Sequence, residues 1–160
     1  MEQKYLTSFK SAERALKVAD HLAYVTYPLI KENKICLQII SELNIFSIYI
    51  INSILQYEYY FKNIQLYSNP KDNLETFRSQ CVPKYGFSDN EIKVLFEVMR
   101  LAEAHKKSPM EFVKDMNVVI MTDSMRTEIM NIDKVKGFIR ELKGFLEKIR
   151  LRLSQNRLVG

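Results

Sequence analysis

The sequence predicts an all-α fold, an up-and-down bundle of about five helices with a small β-hairpin inserted before the last helix. Three observations predict it. The stretch from Lys34 to Tyr67 keeps an unbroken 3-4 stride through Cys36, Ile40, Leu43, Ser47, Ile50, Ile54, Tyr57, Phe61 and Ile64. Only Ser47 in that series is neither apolar nor aromatic, and the series describes one seam of a long helix. Four Gly and four Pro in 160 residues are few, which favours helices over a strand-and-turn fold. Between residues 111 and 130 the pattern then changes to short runs rich in β-branched residues, the mark of strands.

The first helix is expected from about Ser8 to Val25. Phe9, Ala12, Leu16, Ala19 and Ala23 form its stripe, and the alanines let a neighbouring helix come close. Pro28 is expected to stop it, since proline cannot continue the backbone ladder and restricts Tyr27 before it. The short turn Lys31-Glu32-Asn33 leads into the central helix and argues for antiparallel neighbours. Opposite its seam, the central helix carries Gln38, Glu42, Asn52, Gln56 and Asn63 together with Ile45, Tyr49 and Tyr59. A helix apolar over most of its circumference needs cover on several sides, which puts it at the centre of the bundle. Tyr57, Tyr59, Tyr60, Phe61 and Tyr67 crowd its far end. They continue the helical spacing of the core, so packing is preferred over base stacking as their role.

A short helix is expected from Asp72 or Asn73 to about Gln80, ending near Pro83 and Gly86. Ser88-Asp89-Asn90-Glu91 is a capping box and opens a helix to about Lys106, with Ile92, Leu95, Phe96, Met99 and Ala102 as its core stripe. After Ser108-Pro109, the segments Glu111 to Lys114, Val118 to Thr122 and Met125 to Met130 read as a hairpin or three-stranded meander. The last helix is expected from Asp133, as N-cap, to about Leu153. Val135, Phe138, Ile139, Leu142, Phe145, Leu146 and Ile149 face inward. Gly137 and Gly144 share a face and cost ~1 kcal/mol each relative to alanine, which suggests a close helix backbone.

The length suits one domain over residues 1–160. Cys36 and Cys81 make no disulfide framework. Reduced thiols and a polar opening from Met1 to Lys10 fit a cytoplasmic protein. The densest apolar piece, Leu43 to Leu55, contains Asn44 and Asn52 and is shorter than the ~20 residues of a membrane span, so no membrane partner is expected. The net charge of +5 is concentrated at one end: from Asp133 to Arg157 there are eight Lys or Arg against three acids. Such a helix can meet phosphates or simply carry a solvated face. Lys10, Arg14 and Lys17 form a second positive row on the first helix.

Two His and two distant Cys supply too few ligands for a metal centre, and no cofactor is expected. There is no Gly-rich phosphate loop and no dinucleotide fingerprint. One local pattern stands out: Arg100-Leu101-Ala102-Glu103-Ala104-His105, an arginine five residues before a histidine, late in a helix of a small bundle. It resembles the R-x4-6-H signature of HEPN domains. The amphipathic opening helix, the turn at Tyr27-Pro28 and the very long second helix look like the same group. The resemblance implies a bundle that dimerises, with Arg100 and His105 of both subunits brought to the interface. Active members are metal-independent endoribonucleases. On that pattern His105 is the general acid/base toward a ribose 2′-hydroxyl and Arg100 holds the scissile phosphate, with Lys10, Arg14, Lys17, Lys106 and Lys107 as nucleic-acid contacts. Where the family usually has a polar residue after the arginine, this chain has Leu101.

An i, i+5 spacing sets the two side chains about 140° apart on an ideal helix, so two helices meeting across a twofold axis serve one phosphate better than one helix does. A second reading is a non-catalytic dimeric interaction module, partner to a nucleotidyltransferase or antitoxin as such proteins often are. In it Arg100 makes surface pairs with Glu97 and Glu103, and His105 covers the core edge while bonding to terminal carbonyls. Ile45, Tyr49 and Tyr59 are the apolar area that a second subunit is expected to cover.

Overall fold

The computed structural model describes residues 3–155, which form five helical rods and one three-stranded antiparallel sheet. The sheet makes the fold mixed rather than purely helical. The first rod joins α1 (Lys4–His21), a π-turn (Leu22–Thr26) and α2 (Tyr27–Ile30). The central rod is α3 (Ile35–Tyr60). The third joins α4 (Pro70–Thr76), a π-turn (Phe77–Cys81) and α5 (Val82–Tyr85), and it is followed by α6 (Asp89–Lys107). Strands β1 (Met110–Lys114), β2 (Asn117–Met121) and β3 (Thr127–Met130) precede α7 (Ile132–Gln155).

Side-chain pairings set the directions. Ser53 on α3 donates to the Tyr5 carbonyl on α1 at 2.7 Å, while the two helices are joined at their other ends, so they run antiparallel. Phe145 meets Phe46 and Arg152 meets Glu58, so α7 runs parallel to α3. Lys148 pairs with Glu91, so α6 runs opposite to α7. The helices α1, α3, α6 and α7 therefore alternate in direction, with α3 touching the other three.

Along α3 the seam from Cys36 to Tyr57 is buried throughout. Ser47 is tolerated there because its hydroxyl donates to the Leu43 carbonyl of its own helix. The helix stops seven residues before Tyr67. Lys62 takes a left-handed φ of 61°, its N–H bonds to the Tyr59 carbonyl, and the Asn63 N–H reaches the Glu58 carbonyl. This is a Schellman ending with lysine where glycine is usual, so no breaker residue announces it.

Pro28 does not stop the first rod. The π-turn before it lets the Tyr27 N–H bond to the Leu22 carbonyl, and Pro28 falls in the first turn of α2, where a missing N–H costs nothing. The same device recurs at Val82-Pro83 after the second π-turn. Both rods end one turn later on a left-handed residue, Lys31 and Gly86.

The capping box at Ser88 and Glu91 forms as expected, with both reciprocal bonds present. The buried row of α6 is Val94, Leu95, Val98 and Leu101, while Ile92, Phe96, Met99 and Ala102 are only half-buried beside it. Phe96 packs against the buried Phe77 and under Arg78 of the third rod. The strands order β1-β2-β3, with Val118, Ile120 and Met130 buried. Asp115 and Met125 take the left-handed conformation in place of turn glycines. On α7 the cap is Asn131, not Asp133: its side chain accepts from the Lys134 N–H at 2.9 Å. The seven inward residues of α7 are buried as expected.

Candidate functional site

Arg100 and His105 both lie on the last two turns of α6, and the sheet folds back against them. Every nitrogen of the Arg100 guanidinium donates to a carboxylate. Its Nε and Nη2 donate to Glu97 at 3.0 and 2.6 Å, and its Nη1 and Nη2 donate to Glu128 on β3 at 2.5 and 3.3 Å. The two carboxylates push the Arg100 pKa up, and the bonds from Arg100 hold the Glu128 carboxyl below its usual range. Glu97 is the partner expected from helix spacing. Glu103 instead pairs with Lys107 at 3.0 Å.

His105 extends the buried row Val94, Val98, Leu101 and is partly covered. It bonds to a side chain rather than to terminal carbonyls: Nδ1 sits 2.6 Å from Glu111 Oε2 on β1. A carboxylate on Nδ1 orients the ring and leaves Nε2 as the atom available to a substrate. Arg100 lines a shallow cavity of about 320 Å³ with Glu103, Lys107, Asp123, Arg126 and Glu128, and His105 is not part of that lining. Within the chain the two residues answer to different carboxylates.

Lys106 and Lys107 follow His105 and are exposed, although Lys107 is engaged by Glu103. Lys10, Arg14 and Lys17 are exposed on α1, with Lys17 beside Glu13. α1 and α6 occupy opposite corners of the bundle, separated by α3 and α7, so one subunit does not bring these three together with Arg100 and His105.

Four of the basic residues of α7 meet carboxylates of this chain. Lys143 pairs with Asp20, Lys148 with Glu91, Arg150 with Glu13 and Glu147, and Arg152 with Glu58. These pairs tie α7 to α1, α6 and α3. Lys143 and Arg150 remain exposed while making these pairs, so the solvated face carries ion pairs to the neighbouring helices. Arg157 lies outside the described residues.

The strongest polar cluster is one that helical periodicity could not reveal. Glu58 of α3 is fully buried. Its Oε1 accepts from Tyr85 Oη at 2.8 Å and Arg152 Nη2 at 3.2 Å, and its Oε2 accepts from Asn63 Nδ2 at 2.7 Å. Burial, and then Glu58 itself, push the Tyr85 hydroxyl pKa up. Burial and the same carboxylate raise the Cys81 thiol to about 11, and burial raises Cys36 to about 11, so both are poor nucleophiles. This cluster clamps α3, α5 and α7 together. Its only sequence signal is a lone glutamate followed by aromatics.

Among the described residues no group of three His, Cys, Asp or Glu is placed to hold a metal ion. α3 is the one helix among them long and apolar enough to cross a membrane, and 56% of its apolar window is buried inside the protein. No family model matches this chain, and neither does any curated protein or solved structure.

Proposed function

We propose that this protein is a HEPN-like, RNA-directed homodimer that cleaves RNA without metal, with His105 as the acid–base group. The observation that carries the reading is the His105–Glu111 contact at the end of α6. A carboxylate fixes Nδ1, as a proton-transferring histidine requires, and the opposite ring nitrogen is left for a ribose hydroxyl. In this reading Arg100 releases Glu128 when a phosphate arrives, exchanging one anion for another. Dimerisation rests on the exposed apolar residues Ile45, Ile48 and Tyr49 of α3.

The test is incubation with single-stranded RNA in chelator. Cleavage that disappears in His105→Ala and drops in Glu111→Gln supports the assignment. Wild-type protein that leaves RNA intact removes it. A second reading, a non-catalytic dimeric module, is favoured by one specific observation: every nitrogen of Arg100 already meets a carboxylate. Under that reading Arg100→Ala leaves dimerisation and any captured protein partner unchanged.

A further inference from the structure

At the end of the bundle away from the sheet, a groove of about 1020 Å³ runs between the start of α1 and the end of α3. Its lining includes Lys4, Tyr59, Tyr60, Lys62 and the glutamines Gln56 and Gln65, and among the described residues it contains no carboxylate. Neither lysine has an acidic partner among the described residues. Tyr57, the one member of the aromatic group at this end that belongs to the core, is buried. Tyr59 and Tyr60 are not: they are 53% and 54% exposed. Their roles differ. Tyr60 leans on Tyr5 at 6.0 Å and Phe61 at 5.0 Å, and Tyr5 and Phe61 each pack on Tyr57, so a fixed aromatic block floors the groove. Tyr59 stands beside that block.

We infer that this groove binds single-stranded nucleic acid, stacking a base on Tyr59 and holding adjacent phosphates on Lys62 and Lys4. Three features select this ligand. An exposed aromatic ring is a poor neighbour for water but a good platform for any base. Two lysines without an acidic partner among the described residues, in a lining that shows no acid among them, attract a polyanion. Gln56 and Gln65 can each donate to and accept from a base edge. The volume is at the top of the range for small-molecule sites, and the groove is open, which suits a chain passing through more than a compact ligand. Lys62 owes its position to the left-handed turn that ends α3, so the same backbone feature that closes the helix presents the cation. Arg100 and His105 lie at the other end of the bundle, so this site stands whether or not RNA is cut.

The test is a fluorescence-anisotropy titration with a labelled 12-nucleotide oligodeoxyuridine, which cannot be cleaved through a 2′-hydroxyl, and with its RNA counterpart, both in chelator. Saturable binding is expected to weaken as salt rises. Tyr59→Ala should lose about tenfold or more in affinity, in line with one lost base stack, whereas Tyr59→Phe retains it. Lys62→Gln should weaken binding and make it less salt-dependent, by about one phosphate contact. Binding of the uncleavable deoxy strand that depends on Tyr59 and Lys62 separates this site from the cleavage reading. No binding of either strand, binding indifferent to Tyr59→Ala and Lys62→Gln, or equal competition by duplex would overturn the inference.

Discussion

Arg152, near the end of α7, donates from Nη2 to the carboxylate of Glu58 on α3 at 3.2 Å, and that carboxylate is fully buried. Removing Arg152 leaves the buried carboxylate with only Lys84, 4.0 Å away, as a cation among the described residues. Because the arginine is itself one-third exposed, and Tyr85 and Asn63 still serve the carboxylate, Arg152→Met should cost about 1–3 kcal/mol rather than the full value of a buried pair. Glu58→Ala should cost more. Chemical denaturation of both single variants and of the double variant measures the coupling, and strictly additive losses would show that the pair does not act as a unit.

Glu91 supplies the pH dependence. Burial pushes its carboxyl pKa up, but the bonds from Lys148 and Ser88 outweigh that and hold it below the usual carboxylate range. A depressed folded-state value means stability is fully present above the ordinary value, ~4.3, and is lost as pH falls through the lowered one. Glu91→Gln should therefore be less stable than wild type at pH 7 and lose less on acidification to pH 3. Equal pH slopes in urea melts would refute this.

The two helical glycines of α7 should respond differently to alanine. A Cβ at Gly137 meets only Arg140 Nη2, at 3.7 Å, so the helix-propensity gain of up to ~1 kcal/mol should appear. At Gly144 the added carbon comes within 3.0 Å of Glu91 Oε2, so the carboxylate has to move away. The close approach inferred from the glycine spacing is thus to a side chain, and at Gly144 alone. Thermal melts should place Gly137→Ala above wild type and Gly144→Ala below Gly137→Ala.

Homodimerisation predicts that a charge on the outer face of α3 disperses the assembly. Tyr49→Glu, at a site 41% exposed, should leave helicity unchanged and convert dimer to monomer in light scattering. A wild-type protein that is monomeric at tens of micromolar concentration ends the dimer proposal.

Much of the architecture is written in local periodicity. The 3-4 stride from Cys36 to Tyr57, the inward row of α7, the capping box at Ser88 and the strands after Pro109 all follow from spacing within a dozen residues, because each element has to bury one face of its own. Pro28 misleads because a π-turn, invisible in composition, absorbs it. The end of α3 misleads because Lys62 does the work usually given to glycine.

The partners of the charged residues are another matter. Nothing near Arg100 in the chain points to Glu128, and nothing near Glu58 points to Arg152, since each pair is closed only when helices distant in sequence pack side by side. The sequence by itself determined which segments are helices and which face each must bury, since those choices depend on neighbours three and four residues away. Only the tertiary structure decided that Lys143, Lys148, Arg150 and Arg152 of α7 meet carboxylates on neighbouring helices, while Lys4 and Lys62 have no acidic partner among the described residues and stand beside exposed tyrosines. Coulombic pairing depends on distance in space, and distance along the chain does not report it.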